Sequence, residues 1–203
     1  MTGTTAENAP SIGGILLAAG GSSRMGQPKQ LLVYKGKTLL RRAVETLIHS
    51  ACGPVVVVLG AEAVQTKNEI KDLPVHTVFN ENWQAGMSSS IKTGLEYLLR
   101  SDTEISAVVI TLCDQPNVTS SHIDKLVAKF RETKKSIVAA EYNNVIGVPA
   151  LFDRDLFDEL LKIKGDKGAR EIIAKHPDAL ITTPLPEAAL DIDTTADLAK
   201  AYF

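Results

Sequence analysis

What most restricts the fold of this chain is an alternation, from Ile12 onward, of short aliphatic and β-branched runs with segments of helical period. Runs at residues 15–18, 55–59, 75–79, 107–112, 137–140 and 179–183 read as strands. Three are almost continuously apolar, the pattern of strands covered on both faces, and belong in the middle of a mostly parallel sheet. Leu39, Leu40, Ala43, Val44, Leu47 and Ile48 fall on one face of a helix, and Ile123, Leu126, Val127 and Phe130 on one face of another. Thr38 is placed to cap the first, while Ser121 followed by Asp124 gives a capping-box-like start to the second. A third helix is read from about Asp153, with Leu156, Phe157, Leu160 and Leu161 inward, and Thr194 with Asp197 opens a last one. The 203 residues show no internal repeat and no dividing linker, so they make one unit. The expected architecture is a single-domain three-layer α/β/α sandwich, Rossmann-like with a mostly parallel sheet, over residues 12–203, after a disordered polar leader at 1–11.

Charge and cysteine usage narrow the function. Lysine and arginine total 22 against 24 acidic residues, a net charge of −2, which gives no general attraction to nucleic acid or anionic lipid. Phosphate binding has to be local. No apolar stretch approaches the roughly 20 residues that span a bilayer, and residues 1–11 lack the basic start and apolar core of a secretory signal. Cys52 and Cys113 are neither closely spaced nor joined by a His/Cys cluster, which argues against a zinc site or disulfide scaffold and for a reducing cytoplasm. His49, His76, His122 and His176 are scattered, and no Ser-His-Asp or Cys-His arrangement emerges.

Two segments carry chemistry. After the first strand the chain reads Leu17-Ala18-Ala19-Gly20-Gly21-Ser22-Ser23-Arg24-Met25-Gly26-Gln27-Pro28-Lys29. Glycines let backbone approach a ligand, successive N–H groups make an anion-binding nest, and Arg24 and Lys29 add two cations suited to a polyphosphate. Gln27 stands where a Walker lysine belongs, and Gly20-Gly21 breaks the dinucleotide fingerprint. The second segment, 107–116, puts Asp114 directly after a buried strand, at the edge where ligands collect in open α/β sheets. A carboxylate beside triphosphate oxygens suits magnesium, although a strand-end aspartate also caps turns. Cys113 reads as buried filler, and Asp191 and Asp193 lie near the chain's end.

Leu17-Ala18-Ala19-Gly20, Arg24-Met25-Gly26 and Lys29 together resemble the signature of the MobA-like nucleotidyltransferases, and Leu112-Cys113-Asp114-Gln115-Pro116 looks like that family's metal-binding segment. The stretch 190–198 is similar to its I-D-T-P-E-D-L motif, with Thr195 and Ala196 in place of proline and glutamate. The resemblance implies a nucleoside triphosphate bound by Leu17, Ala18, Ala19, Gly20, Gly21, Arg24, Lys29, Asn80, Ser88 and Asp114. It further implies magnesium on Asp114 and Asp193, with Asp191 the runner-up, and catalysis by Arg24, Lys29 and Asp114.

The middle of the chain narrows the branch. Asn80-Glu81-Asn82-Trp83-Gln84-Ala85-Gly86-Met87-Ser88-Ser89-Ser90-Ile91 and Gly165-Asp166-Lys167-Gly168-Ala169-Arg170 look like the molybdenum cofactor cytidylyltransferase branch; Trp83 alone reads as core, and a helix is read from near Ser89. Gly147-Val148-Pro149-Ala150-Leu151-Phe152 matches that branch except that Val148 replaces a histidine or tyrosine. The function implied is transfer of CMP from CTP to the phosphate of molybdenum-molybdopterin, releasing pyrophosphate. Ala19 favours CTP on the expectation that its methyl narrows the floor under the base. The alternatives are a GTP-dependent guanylyltransferase, a sugar- or polyol-phosphate nucleotidyltransferase, or a non-catalytic carrier serving a molybdoenzyme recipient.

Overall fold

The computed structural model of this chain describes residues 11–21, 28–101, 103–192 and 194–201. In chain order the strands are β1 (Ser11–Ala18), β2 (Val33–Tyr34), β3 (Lys37–Thr38), β4 (Val55–Leu59), β5 (His76–Phe79), β6 (Ile105–Leu112), β7 (Ile137–Tyr142), β8 (Val145–Asp153) and β9 (Leu180–Pro184). The α-helices are α1 (Leu39–Ile48), α2 (Ala63–Glu69), α3 (Met87–Leu99), α4 (Ser120–Thr133), α5 (Phe157–Leu160), α6 (Ala169–Lys175) and α7 (Thr195–Lys200). One seven-stranded sheet runs β5-β4-β1-β6-β8-β7-β9, and β2 pairs with β3 in a small separate ribbon. Every neighbouring pair in the large sheet is parallel except the two made by β8.

Alternation along each strand divides the core into two layers. Leu16 and Val57 face the side covered by Leu40, Val44 and Leu47 of α1 and by Ile123, Leu126 and Val127 of α4. Ile15, Val56 and Val58 face the side covered by Ile91, Leu95 and Leu98 of α3, by Leu160 of α5 and by Ile172 of α6. The result is a single-domain mixed α/β fold with helices on both faces, as the sequence alternation requires. No described helix is long and apolar enough to cross a membrane.

Several boundaries differ from the sequence reading. Ser11, counted with the leader, opens β1, and Gly13 and Gly14 had hidden the first half of that strand from a hydrophobic count; the rest of the leader lies outside the described residues. β8 was not anticipated, because Gly147 and Pro149 break its pattern. Its pairing with β7 steps from Ala139↔Ala150 to Ala140↔Gly147, so Val148 and Pro149 leave the ladder. A proline with no N–H to give is tolerated at such a bulge. The α1 and α7 caps are as read: Thr38 accepts from the Arg41 amide at 3.1 Å and Thr194 from the Asp197 amide at 3.1 Å. For α4 the reading is corrected. Ser121 lies inside the first turn, His122 Nδ1 accepts from the Thr119 amide at 3.2 Å, and Asp124 instead accepts from the Ala51 amide at 2.7 Å.

Gly94 sets how closely α3 lies on the sheet. A Cβ there would sit 2.7 Å from Ile15 Cγ2 and 2.9 Å from Val58 Cγ2, both fully buried side chains of the sheet. Gly94→Ala gains about 1 kcal/mol of helix propensity, yet overpacking a rigid core typically costs about 1–3 kcal/mol. The net expectation is a loss of up to about 2 kcal/mol, read from urea denaturation midpoints. A variant as stable as the parent would show that α3 does not lie that close.

Candidate functional site

Parallel pairing brings the two chemical segments together. β1 and β6 are neighbours, with Leu17 paired to Leu112, so the glycine-rich turn and the segment containing Asp114 leave the same edge of the sheet side by side. A cleft of about 340 Å³ opens there. It is lined by Leu17, Ala18, Ala19, Gly20, Gly21, Lys29 and Asp114, and by Trp83, Gln84, Gly86 and Met87 from the connection between β5 and α3. Seven of the residues picked out from sequence thus share one cavity. Arg24 and Asp193 lie outside the described residues.

The electrostatic centre is a contact between Lys29 and Asp114. Lys29 Nζ donates to Asp114 Oδ2 at 2.6 Å, with side-chain exposures of 21% and 14%. The other oxygen, Oδ1, is buried and accepts no hydrogen bond among the described residues. Leaving such an acceptor unsatisfied costs on the order of 1–3 kcal/mol, and a hard anionic oxygen held this way suits a divalent cation. The Asp114 carbonyl accepts from the Ile192 amide at 3.0 Å, which ties the 191–192 segment to this strand end. Ile192 is fully buried and Asp191 is exposed. Among the described residues no three His, Cys, Asp or Glu side chains gather into a metal cage.

Other candidates hold the site's frame. Asn80 is buried: its Nδ2 donates to Ser89 Oγ at 2.8 Å and Ser90 Oγ at 3.0 Å, while its Oδ1 accepts from the Asn82 amide at 2.9 Å. It organises the loop and is not part of the cleft wall. Ser88 is likewise engaged, since both its hydroxyl and its amide donate to the Gly165 carbonyl, at 2.7 and 3.1 Å. That contact locks the start of α3 to the 165–168 loop. Trp83, read as core, does pack on the α3-side layer but also lines the cleft. Sequence reasoning missed Gln30. It is 1% exposed and its Nε2 donates to the Ala18 and Gly20 carbonyls at 3.0 and 2.7 Å, pinning the turn where β1 ends; nothing in its type or spacing announced this.

A second cavity of about 520 Å³ adjoins the first, sharing Met87, Leu112 and Asp166. Val148, Ala169 and Ala174 give it an apolar lining, and Lys167, Arg170 and Lys175 add three cations beside the carboxylates of Asp166 and Glu171. The G-D-x-G-A-R segment and the bulged start of β8 therefore meet beside the glycine-rich cleft.

Residues 14–180 match the MobA-like NTP transferase domain family. The chain belongs to that family. Nicotine blue oxidoreductase from Paenarthrobacter nicotinovorans is 32% identical over 83% of this chain and 84% of its own length. A protein of Bacillus cereus strain Q1, described as a probable molybdenum cofactor guanylyltransferase, is 30% identical over 65% of this chain and 68% of its own. Similarly described proteins of Bacillus cytotoxicus and Bacillus mycoides stand at 27% and 29%. Among solved structures, Rv0371c of Mycobacterium tuberculosis superposes with a TM-score of 0.81 at 27% identity, covering 96% of this chain and 98% of its own. A manganese complex of Rv0371c gives a TM-score of 0.76 at 25% identity, covering 94% and 97%.

These relatives overturn the expected cytidylyl transfer from CTP, because the molybdenum-cofactor transferases among them are guanylyltransferases by description. In the structure Ala19 is 4% exposed and its methyl packs against Gly60, where an added Cβ would lie 2.8 Å from it, so most of that methyl is turned into the protein.

Cys113 lines the cleft beside Asp114, but burial pushes its thiol up to about 12, and burial likewise pushes Cys52 up to about 11. Both raised values disfavour the thiolate, so neither cysteine is a nucleophile at neutral pH. Iodoacetamide at pH 8 is expected to label neither thiol in the folded chain and both in denaturant, as counted by mass spectrometry; rapid native labelling at Cys113 would contradict its burial.

Proposed function

We propose that this chain transfers a guanylyl group from GTP to the terminal phosphate of a molybdopterin-type molybdenum cofactor, with release of pyrophosphate. The observation that carries the reading is Asp114 at the strand end, lining the glycine-rich cleft, with one oxygen on Lys29 and the other buried without a partner among the described residues. Family membership supports nucleotidyl transfer, and the relatives described as guanylyltransferases support the nucleotide and acceptor. The second cavity supports the acceptor independently: its apolar lining suits a ring system and its Lys167 and Arg170 suit a phosphate.

On this reading the triphosphate lies along residues 17–21, where backbone N–H groups and the cations of Arg24 and Lys29 meet its oxygens. An oxygen of the acceptor phosphate forms the new bond to the α-phosphorus, the bond to the α–β bridging oxygen breaks, and pyrophosphate leaves with that electron pair. The acceptor is already anionic at neutral pH, so no side chain has to remove a proton. Lys29 exchanges its contact with Asp114 for the departing phosphates, where negative charge grows. Asp114 and Asp193 would hold magnesium, which when bound supplies neutralisation of phosphate charge. Support for a divalent ion comes from Asp114 Oδ1, which has no partner among the described residues, and from the manganese complex of Rv0371c. The chain's contribution is alignment and preorganised charge.

Incubation with equal GTP and CTP, magnesium and molybdenum-loaded molybdopterin tests the reading directly. The dinucleotide product is expected to carry guanine over cytosine by roughly tenfold or more, the margin a pocket with base-edge hydrogen bonds provides. A cytosine product, or equal use of the two, would contradict it.

A further inference from the structure

Gln115 follows Asp114, is 4% exposed, and touches neither cavity. Its side-chain Nε2 points at three oxygens: the Ala188 carbonyl at 3.0 Å, the Val148 carbonyl at 3.3 Å and the Tyr142 hydroxyl at 3.3 Å. Tyr142 in turn donates its hydroxyl to the same Val148 carbonyl at 3.2 Å. The amide orientation is dictated by these neighbours, since a flipped group would set its oxygen against two carbonyls.

The three oxygens belong to three different pieces of chain. Tyr142 ends β7. Val148 sits at the bulge where β8 leaves its ladder, and its side chain lines the second cavity. A buried carbonyl outside the ladder needs a donor from elsewhere, and Gln115 and Tyr142 provide it. Ala188 belongs to the turn that leads into residues 190–192, and one step further on the Ile192 amide bonds to the Asp114 carbonyl at 3.0 Å. Consecutive residues, Asp114 by its backbone and Gln115 by its side chain, thus fasten the C-terminal segment to the end of β6.

We propose that Gln115 is a positioning residue that holds the Val148 wall of the second cavity and the 186–192 segment in register with Asp114. The inference rests on reading that cavity as the acceptor site. Without the Gln115 donor, the Val148 and Ala188 carbonyls lose a buried partner and both segments are free to shift. The turn at 19–21 and the Lys29–Asp114 side-chain contact do not involve Gln115, so magnesium-free binding of the nucleotide to that turn stays as it is. In-line attack is sensitive to misplacement of about 1 Å, so the cost falls on acceptor use.

The test compares the full-length parent with Gln115→Met, which keeps the volume, Gln115→Glu, which faces the carbonyls with an anion, and the milder Tyr142→Phe. Steady-state kinetics, GTP binding without acceptor or magnesium, and amide hydrogen exchange over residues 145–150 and 185–192 are measured on each. Both Gln115 variants are expected to lower kcat/KM for the acceptor by roughly tenfold to a hundredfold, to keep the magnesium-free GTP affinity within about twofold, and to exchange faster in both segments. Tyr142→Phe should move the same quantities less. Unchanged acceptor kinetics, a parallel loss of magnesium-free GTP affinity, or unchanged exchange in folded variants would overturn the proposal. If the parent itself transfers nothing to any acceptor, the functional reading falls, and exchange alone decides the clamp: faster in Gln115→Met supports it and unchanged rejects it.

Discussion

The site depends on the parallel pairing of β1 with β6. Because Leu17 and Leu112 are partners in the middle of the sheet, the glycine-rich turn and Asp114 must emerge together, on the edge where parallel strands deliver their loops. A one-residue slip would reverse which layer Ile15, Leu16, Val108 and Val109 enter, so the two packed cores enforce the register that the chemistry needs. Stability and function share this one constraint. The antiparallel insertion of β8 adds to it by starting, rather than ending, at the same edge, which carries Val148 to the second cavity.

Around that edge the polar groups divide into holders and candidates for chemistry. Gln30, Asn80, Ser88 and Gln115 are all buried, and their hydrogen bonds go to backbone or to one another's loops. Gln30 and Asn80 fix the turns beside them, whereas Ser88 and Gln115 join segments far apart in sequence. Asp114 is different. One of its oxygens is met by Lys29 and the other is buried without a hydrogen-bond partner among the described residues.

Much of this was legible in the chain. The buried strands were visible because an all-apolar run has no other economical use, and α1 was visible from its six-residue face and its Thr38 cap. The candidate loop and Asp114 were found because glycines, cations and a strand-end carboxylate are each unusual there. What escaped was context. β8 looked like a loop because Gly147 and Pro149 are loop formers, and only the sheet reveals that they make a bulge. Asn80 and Ser88 looked like ligand contacts because they are polar beside a helix start, whereas their partners come from the loop itself and from Gly165. Ala19 suggested a base preference from one methyl, and that methyl packs largely against Gly60, distant in sequence.

The central claim is that Asp114 makes nucleotide binding dependent on a divalent cation. Titration calorimetry of GTP into the parent and into Asp114→Asn, each with and without magnesium and each checked by circular dichroism, addresses it most directly. The account predicts that the parent binds GTP tightly only with magnesium, and that the folded variant binds weakly and with little regard to the metal. Equal affinity and equal magnesium dependence in the two proteins would contradict it.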